Sequence, residues 1–155
     1  MPLDDYGEDE VTEIAGLRYP NWPDAIRRKV ARYGRFVPRI ALEIGKELSN
    51  EALVSEHPER SLEEHLSEVV STRRITEEGL GPADIEYLEL LDQQRTPMGE
   101  GNISTMLSNI DKDRILEGVE PLLVNRLKYV RRTARGREIT IKGREYLVNM
   151  RQRRG

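Results

Sequence analysis

Cysteine is absent from the 155 residues, which excludes disulfides, thiolate metal sites and a cysteine nucleophile. Histidine occurs only at positions 57 and 65, too few and too isolated for a metal centre. His57 falls in a loop and His65 on a polar helix face, so both are expected in solvent. There is no phosphate-binding G-x-x-x-x-G-K-[ST] loop. The nearest fragment, Gly45-Lys46-Glu47, lacks the first glycine and the hydroxyl and lies within a helical pattern. Acidic pairs such as Glu63-Glu64 and Glu77-Glu78 have no partner set for acid–base work. No activity is therefore expected from this chain alone. No apolar run approaches membrane-spanning length, and the start (Asp4, Asp5, Glu8, Asp9, Glu10) is too acidic for a signal peptide. The expected location is the cytoplasm. Aromatics are only 5% of the chain, against 34% charged residues, which suits a helical protein with modest cores.

What is present is an uneven charge. The overall formal charge is -3, yet residues 1–80 hold 11 Lys/Arg against 17 Asp/Glu, and residues 125–155 hold 11 against 2. An acidic front and a basic back suggest two jobs, with polyanions met by the back and protein by the front.

The basic back contains the stretch that organises the chain, Ile115 to Gly143. Ile115, Val119, Leu122, Leu123 and Leu127 share one helical stripe. Pro121 lies inside it, so a kink or a later start is expected. The period then changes. Lys128 to Arg132 and Arg137 to Ile141 mix β-branched and basic residues around Thr133-Ala134-Arg135-Gly136, where Gly136 can supply a positive φ. A helix feeding a hairpin with a basic tip is the layout of a winged helix, in which the helix fits the major groove and the wing reaches phosphates. Lys128, Arg131, Arg132 and Arg135 are candidate nucleic-acid contacts, with Gly136, Arg137 and Lys142. No acidic residue lies between Asn125 and Arg137 to neutralise them, so the arginines are expected to project to solvent together.

Ahead of this stretch, a helix is expected within 3–16 on Leu3, Tyr6, Val11 and Ile14, followed by the rigid connector Tyr19–Pro23. Ile26, Val30 and Tyr33 form a stripe ending at Gly34, and Pro38 opens a helix carrying Ile40, Ile44 and Leu48. Residues 57–60 read as a loop. Ser61 with Glu64 forms a capping box before Leu62, Leu66, Val69 and Val70. These four helices make a bundle over residues 1–75, followed by a winged-helix domain over 76–155. Thr72 to Gly81 reads as an open linker. Pro82 starts a helix with Ile85, Leu88 and Leu91. Asn102 caps one with Ile103, Met106, Leu107 and Ile110, and Asp111 or Asp113 caps the long helix. Residues 144–150 are expected as a last turn or two before a frayed tail.

Four segments resemble the C-terminal two-thirds of the RuvB family, the Holliday-junction branch-migration ATPases of the AAA+ class. Ala31-Arg32-Tyr33-Gly34-Arg35-Phe36-Val37-Pro38-Arg39-Ile40-Ala41 is similar to the segment ending T-P-R-I-A, and Gly79-Leu80-Gly81-Pro82-Ala83-Asp84 to G-L-x-x-x-D. Ile115 to Leu123 is similar to I-E-x-V-x-E-P-Y-L, and Arg132-Thr133-Ala134-Arg135-Gly136-Arg137 to R-T-P-R-G-R. The family's Gly and Thr before P-R are Phe36 and Val37 here, its N-R after I-A is Leu42-Glu43, and its wing Pro is Ala134.

The resemblance implies a mostly α protein: an AAA+ lid-type four-helix bundle, then a winged helix. It gives Arg39, after Pro38, the place of the sensor-2 arginine that contacts nucleotide phosphates. It gives Arg132, Arg135 and Arg137 the place of the wing arginines at DNA. It implies ATP and Mg²⁺ only for an ATPase core upstream or in trans, duplex or Holliday junction DNA as partner, and a hexameric ring for the whole motor. A free-standing winged-helix transcription regulator with a helical dimerisation domain, and a protein-interaction module with an acidic partner, are the alternatives.

Overall fold

The computed structural model describes residues 6–54, 61–107 and 110–154, which divide into one unit ending at Gly81 and a second beginning at Pro82. The expectations for Leu3, for His57 and for the 57–60 loop lie outside the described residues.

The first unit is a bundle of α1 (Glu8–Arg18), α2 (Asp24–Tyr33), α3 (Pro38–Val54) and α4 (Leu62–Arg73). Its stripes converge as their spacing requires. Val11, Ile26, Val30, Ile44, Leu48, Leu66, Val69 and Val70 are buried together, with Tyr6, Tyr33, Phe36 and Ile40 packed around them. Each fully buried aliphatic side chain here contributes about 1.5–3 kcal/mol relative to exposure. The helix ends follow local chemistry. The Ser61 hydroxyl accepts from the Glu64 N–H at 3.2 Å, the N-cap half of the capping box expected from the sequence, and donates to Glu64 Oε1 at 3.3 Å. In the connector, the Tyr19 and Trp22 rings stack with centroids 4.0 Å apart, and Arg27 Nε donates to the Trp22 carbonyl at 2.9 Å. Gly45-Lys46-Glu47 lies inside α3.

Two expectations fail in this unit. His65 is buried at 3% exposure, in the first turn of α4, and its Nδ1 has no hydrogen-bond partner among the described residues. It shares the buried face because Leu62, Leu66 and Val69 surround it on the helix; the face reads as polar only when His itself is scored as polar. Residues 75–80, just before the division between the units, are a closed turn and not the exposed segment expected of a linker. The Thr76 N–H donates to the Leu80 carbonyl at 2.9 Å, and the Leu80 N–H to Thr76 Oγ1 at 3.1 Å. This closed turn presses Leu80 to 0% exposure. Arg73 remains in α4, and Arg74 ends the helix in a left-handed conformation (φ 57°).

The second unit comprises α5 (Pro82–Gln93), α6 (Glu100–Met106), α7, the strands β1 (Val130–Thr133) and β2 (Gly136–Ile139), and α8 (Ile141–Arg154). The helix α7 is continuous, beginning at Lys112–Arg114 and widening to π-type turns over Ile115–Val119 and Pro121–Arg126. Of the kink or later start expected at Pro121, the later start does not occur. Proline lacks the N–H that would bond to the fourth residue back, and a wider winding absorbs the loss. The Glu120 N–H bonds to the Ile115 carbonyl, and the Leu127 N–H to Leu122 at 2.9 Å. Asp111 caps this helix, its Oδ1 accepting from the Arg114 N–H at 2.8 Å. The stripe is buried through Leu123, with Ile115, Val119, Leu122 and Leu123 at most 3% exposed, while Leu127 at its end is only partly buried.

The strands pair antiparallel, with Val130 opposite Ile139 and Arg132 opposite Arg137. Met98 forms an isolated bridge on the far side of β2, exchanging backbone hydrogen bonds with Arg137 at 2.7 and 2.9 Å. That pairing places Gly99, not Asn102, at the cap of α6. The carboxyl end also departs from expectation. No Gly or Pro interrupts residues 144–154, and Arg, Glu, Leu, Met and Gln favour helix, so α8 runs for 14 residues instead of fraying after two turns. Gly143 lets its first turn approach the Tyr129 carbonyl, where a Cβ would collide. Among the described residues no helix is long and apolar enough to cross a membrane.

Candidate nucleic-acid interface

The hairpin turn is Ala134-Arg135, between the Thr133–Gly136 rung and solvent. Gly136 is required twice over. Its φ is 139°, and a Cβ there would collide with the Met98 carbonyl oxygen. The Thr133 hydroxyl donates to the Gly136 carbonyl at 3.1 Å and accepts from the Arg135 N–H at 3.2 Å, which stiffens the turn. Arg135 is exposed at the tip, and among the described residues no carboxylate lies within ion-pair distance of it.

The other basic residues behave differently. Arg131 pairs across the rung with Glu138. Arg132 and Arg137, on opposite strands of one rung, both turn to Glu120 of α7. Arg137 Nε donates to Glu120 Oε2 at 2.9 Å, and Arg132 Nη2 to Oε1 at 3.2 Å. Glu100 stands 3.8 Å from Arg137 as well. The Arg137 side chain is only 16% exposed and that of Arg132 is 49%. The expectation that these arginines project freely together is therefore corrected. The neutralising acid, Glu120, comes from the preceding helix, outside the Asn125–Arg137 stretch that holds no acid. Arg137 is a partly buried structural cation, Arg132 a half-exposed one, and Arg135 the charge at the tip.

Lys128 and Lys142 sit at the base of the hairpin. Lys128 takes a left-handed φ of 61°, and its carbonyl accepts from Thr140 Oγ1 at 2.7 Å, closing the base. Lys142, in the first turn of α8, holds its ammonium 5.8 Å from the centre of the Tyr129 ring. The structure thus separates a tip (Arg135), a paired middle and a base (Lys128, Lys142).

Glu120 was not among the residues singled out from the sequence. Its carboxylate is fully buried and also accepts from Tyr87 Oη at 2.6 Å. Burial pushes this carboxyl up, but the bonds from Tyr87 and Arg137 and the charges of both arginines outweigh burial and hold it below its ordinary value. Burial, aided by the Glu120 carboxylate, drives the Tyr87 hydroxyl far up, so it stays a donor. A signal existed: Glu120 lies three residues before Leu123 and seven before Leu127, on the apolar stripe itself.

Arg39 lies in the first turn of α3, after Pro38 at the helix start, as expected. Its side chain is 74% exposed and donates to Glu43 Oε1 at 3.1 Å, one turn on. The chain enters this helix through Arg35 and Phe36, both left-handed (φ 60° and 61°). Phe36 is the position where the resembling family carries Gly, which adopts such a φ without strain.

Residues 77–148 match the family model described as the RuvB C-terminal winged helix domain. The Holliday junction branch migration complex subunit RuvB of Mycoplasma genitalium is 34% identical over 120 residues, 77% of this chain and 36% of that protein. That of Mycoplasma pneumoniae is 29% identical over 154 residues, 96% of this chain and 47% of its own length. The solved structure of the Thermotoga maritima RuvB Holliday junction branch migration motor superposes with a TM-score of 0.79 at 26% identity, covering 94% of this chain and 50% of that one. The chain thus spans half or less of the length of these relatives. On the winged-helix match, residues 77–148 belong to the RuvB C-terminal winged-helix family, and the identities and the superposition make the chain as a whole similar to the C-terminal half of RuvB.

Proposed function

We propose that this chain is the DNA-gripping C-terminal portion of a RuvB-like branch-migration motor. The winged-helix unit holds duplex or Holliday junction DNA, and the helical unit carries the nucleotide state of an ATPase core supplied upstream or in trans. The observation that carries this reading is Arg135: an exposed guanidinium on a stiffened hairpin tip, with no acid beside it among the described residues, in a domain that matches the RuvB winged helix. Lys128 and Lys142 add charge at the hairpin base, and Arg132 offers its exposed half.

Toward nucleotide the chain offers little: one arginine at one helix start. Arg39 fits a phosphate in charge and position, but Glu43 already occupies it, so a phosphate must displace that carboxylate. ATP and its metal belong to the core, which would act in the cytoplasm as a ring. The test is fluorescence anisotropy on duplex and four-way-junction DNA across a salt series, with an ATPase assay on the same preparation. The expected result is salt-dependent binding with a log–log slope of about -0.9 per phosphate neutralised, and no ATP turnover. Absence of binding at low salt would overturn the grip, and turnover that survives further purification would overturn the division of labour.

A further inference from the structure

The Glu120 carboxylate collects donors from three elements: Tyr87 of α5, Arg132 of β1 and Arg137 of β2. Arg132 and Arg137 are register partners, so two guanidinium groups face each other across one rung. Like charges directly opposite repel, and this rung would open without an anion between them. It is the second rung below the turn, with only the Thr133–Gly136 pair beyond it. Whatever holds this rung also aims the tip.

The helix delivers the anion by a local change of winding. Glu120 is the single residue between two wide-wound stretches, Ile115–Val119 and Pro121–Arg126. Such stretches rotate a side chain relative to a regular helix and recur at functional positions. A buried ionic cluster is a poor way to gain stability, because desolvation offsets the attraction and a packed apolar cluster does as well. It is a good way to fix one geometry, since every donor has a direction.

We propose that Glu120 is a positioning residue for the wing: it fixes the hairpin on α7 so that Arg135 and the helix engage one duplex at once. This inference rests on the DNA-grip reading above. Arg137, partly buried in the cluster, acts as the strut, while Arg132 is held by one edge with part of its guanidinium outward. An arginine already held loses less side-chain freedom when it meets a phosphate.

The test is a double-mutant cycle with a second readout that needs no DNA. In the parent, Arg135→Ala is expected to weaken duplex binding by about five- to tenfold. In Glu120→Gln, the same change is expected to cost less than about twofold, because a misaimed tip no longer shares the duplex. Hydrogen exchange in the free protein should accelerate by about tenfold at the β1 and β2 amides while the α5 amides stay as slow as in the parent. An equal cost of Arg135→Ala in both backgrounds, or uniform acceleration across the unit, would overturn the proposal and leave Glu120 as general scaffolding. If the parent binds no DNA, the grip reading fails and the exchange pattern alone decides: acceleration confined to the hairpin supports positioning, and uniform acceleration overturns it. Should Glu120→Gln fail to fold, Tyr87→Phe keeps the carboxylate and both arginines. Its expected signature is a smaller loss of the Arg135 effect, and an undiminished effect counts against the proposal.

Discussion

The Glu120 carboxylate accepts from Arg137 Nε at 2.9 Å, joining helix α7 to the second strand of the wing through an acid with no solvent exposure. The pair is 17 residues apart in the chain, and its partners Tyr87 and Arg132 extend it to two further elements. This cluster makes the basic hairpin less basic than its sequence suggests, and it gives the unit an acid-sensitive joint.

The acid sensitivity has a definite sign. Glu120 titrates below its ordinary value of 4.5 in the folded chain, so the unfolded chain binds the proton more readily. The stability it supplies is present above about pH 4.5 and is lost as pH falls through the lowered folded value. Glu120→Gln is expected to cost about 3 kcal/mol at pH 7, the low end for breaking a buried pair, because Arg132 can turn to water. Melting curves from pH 7 down to pH 3 check this: the gap between parent and variant should narrow below pH 4.5. A constant gap across that range would mean the carboxylate charge is not what the variant loses.

The turn over 76–80 gives the opposite outcome to an open linker. With Leu80 fully buried, Leu80→Ala should destabilise the fold by about 2–5 kcal/mol. It should also expose residues 75–80 to protease, whereas the parent should resist cleavage there. Rapid cleavage of the parent within this turn, with no change in melting for the variant, would contradict the closed turn.

The sequence shows these elements to different depths. Stripes that repeat at helical spacing, such as Ile26 and Val30 or Ile44 and Leu48, report burial directly, because burial is what repeats. Caps such as Ser61 with Glu64 are equally legible, since both partners lie within four residues. Residues whose environment comes from elsewhere are not. His65 scores as polar but lies under neighbours that only the folded bundle brings together. Glu120 meets Arg132 and Arg137 because α7 widens around Pro121, and no charge count over a window can see that pairing. The wing was legible from Gly136 and the flanking β-branched residues. Which of its arginines stay outside was not, because that depends on a rung pairing and a distant acid.

Arg39 separates the two units experimentally. Its pair with Glu43 is exposed, with side chains 74% and 50% accessible, so its loss should move stability by no more than about 0.5 kcal/mol. Arg39→Ala should therefore leave melting and DNA affinity of this chain unchanged, and should impair ATP turnover when an ATPase core is supplied. Glu43→Gln, which frees Arg39, should leave turnover intact or raise it. A marked drop in melting temperature for Arg39→Ala would make the arginine structural.

Arg135 carries the strongest expectation. It stands at the tip of a turn stiffened by Thr133, without an acid in reach among the described residues, and Gly136 beside it can be no other residue without strain. Contacts from such a tip go mainly to phosphates and carry little sequence information. Arg135→Ala should therefore weaken binding to unrelated duplexes by similar factors and make the log–log salt slope shallower by about one unit. Because the side chain is exposed on a surface turn, the stability should barely move, staying within about 0.5 kcal/mol of the parent. Arg137→Ala should differ in stability: it removes the strut of the Glu120 cluster, so stability should fall by about 3 kcal/mol, and any loss of binding should accompany that fall. The contrast between these two neighbours, measured by anisotropy across salt with melting curves on the same samples, decides the matter. If Arg137→Ala alone changed the salt slope and Arg135→Ala left it untouched, the exposed tip would not be the part of the wing that meets DNA.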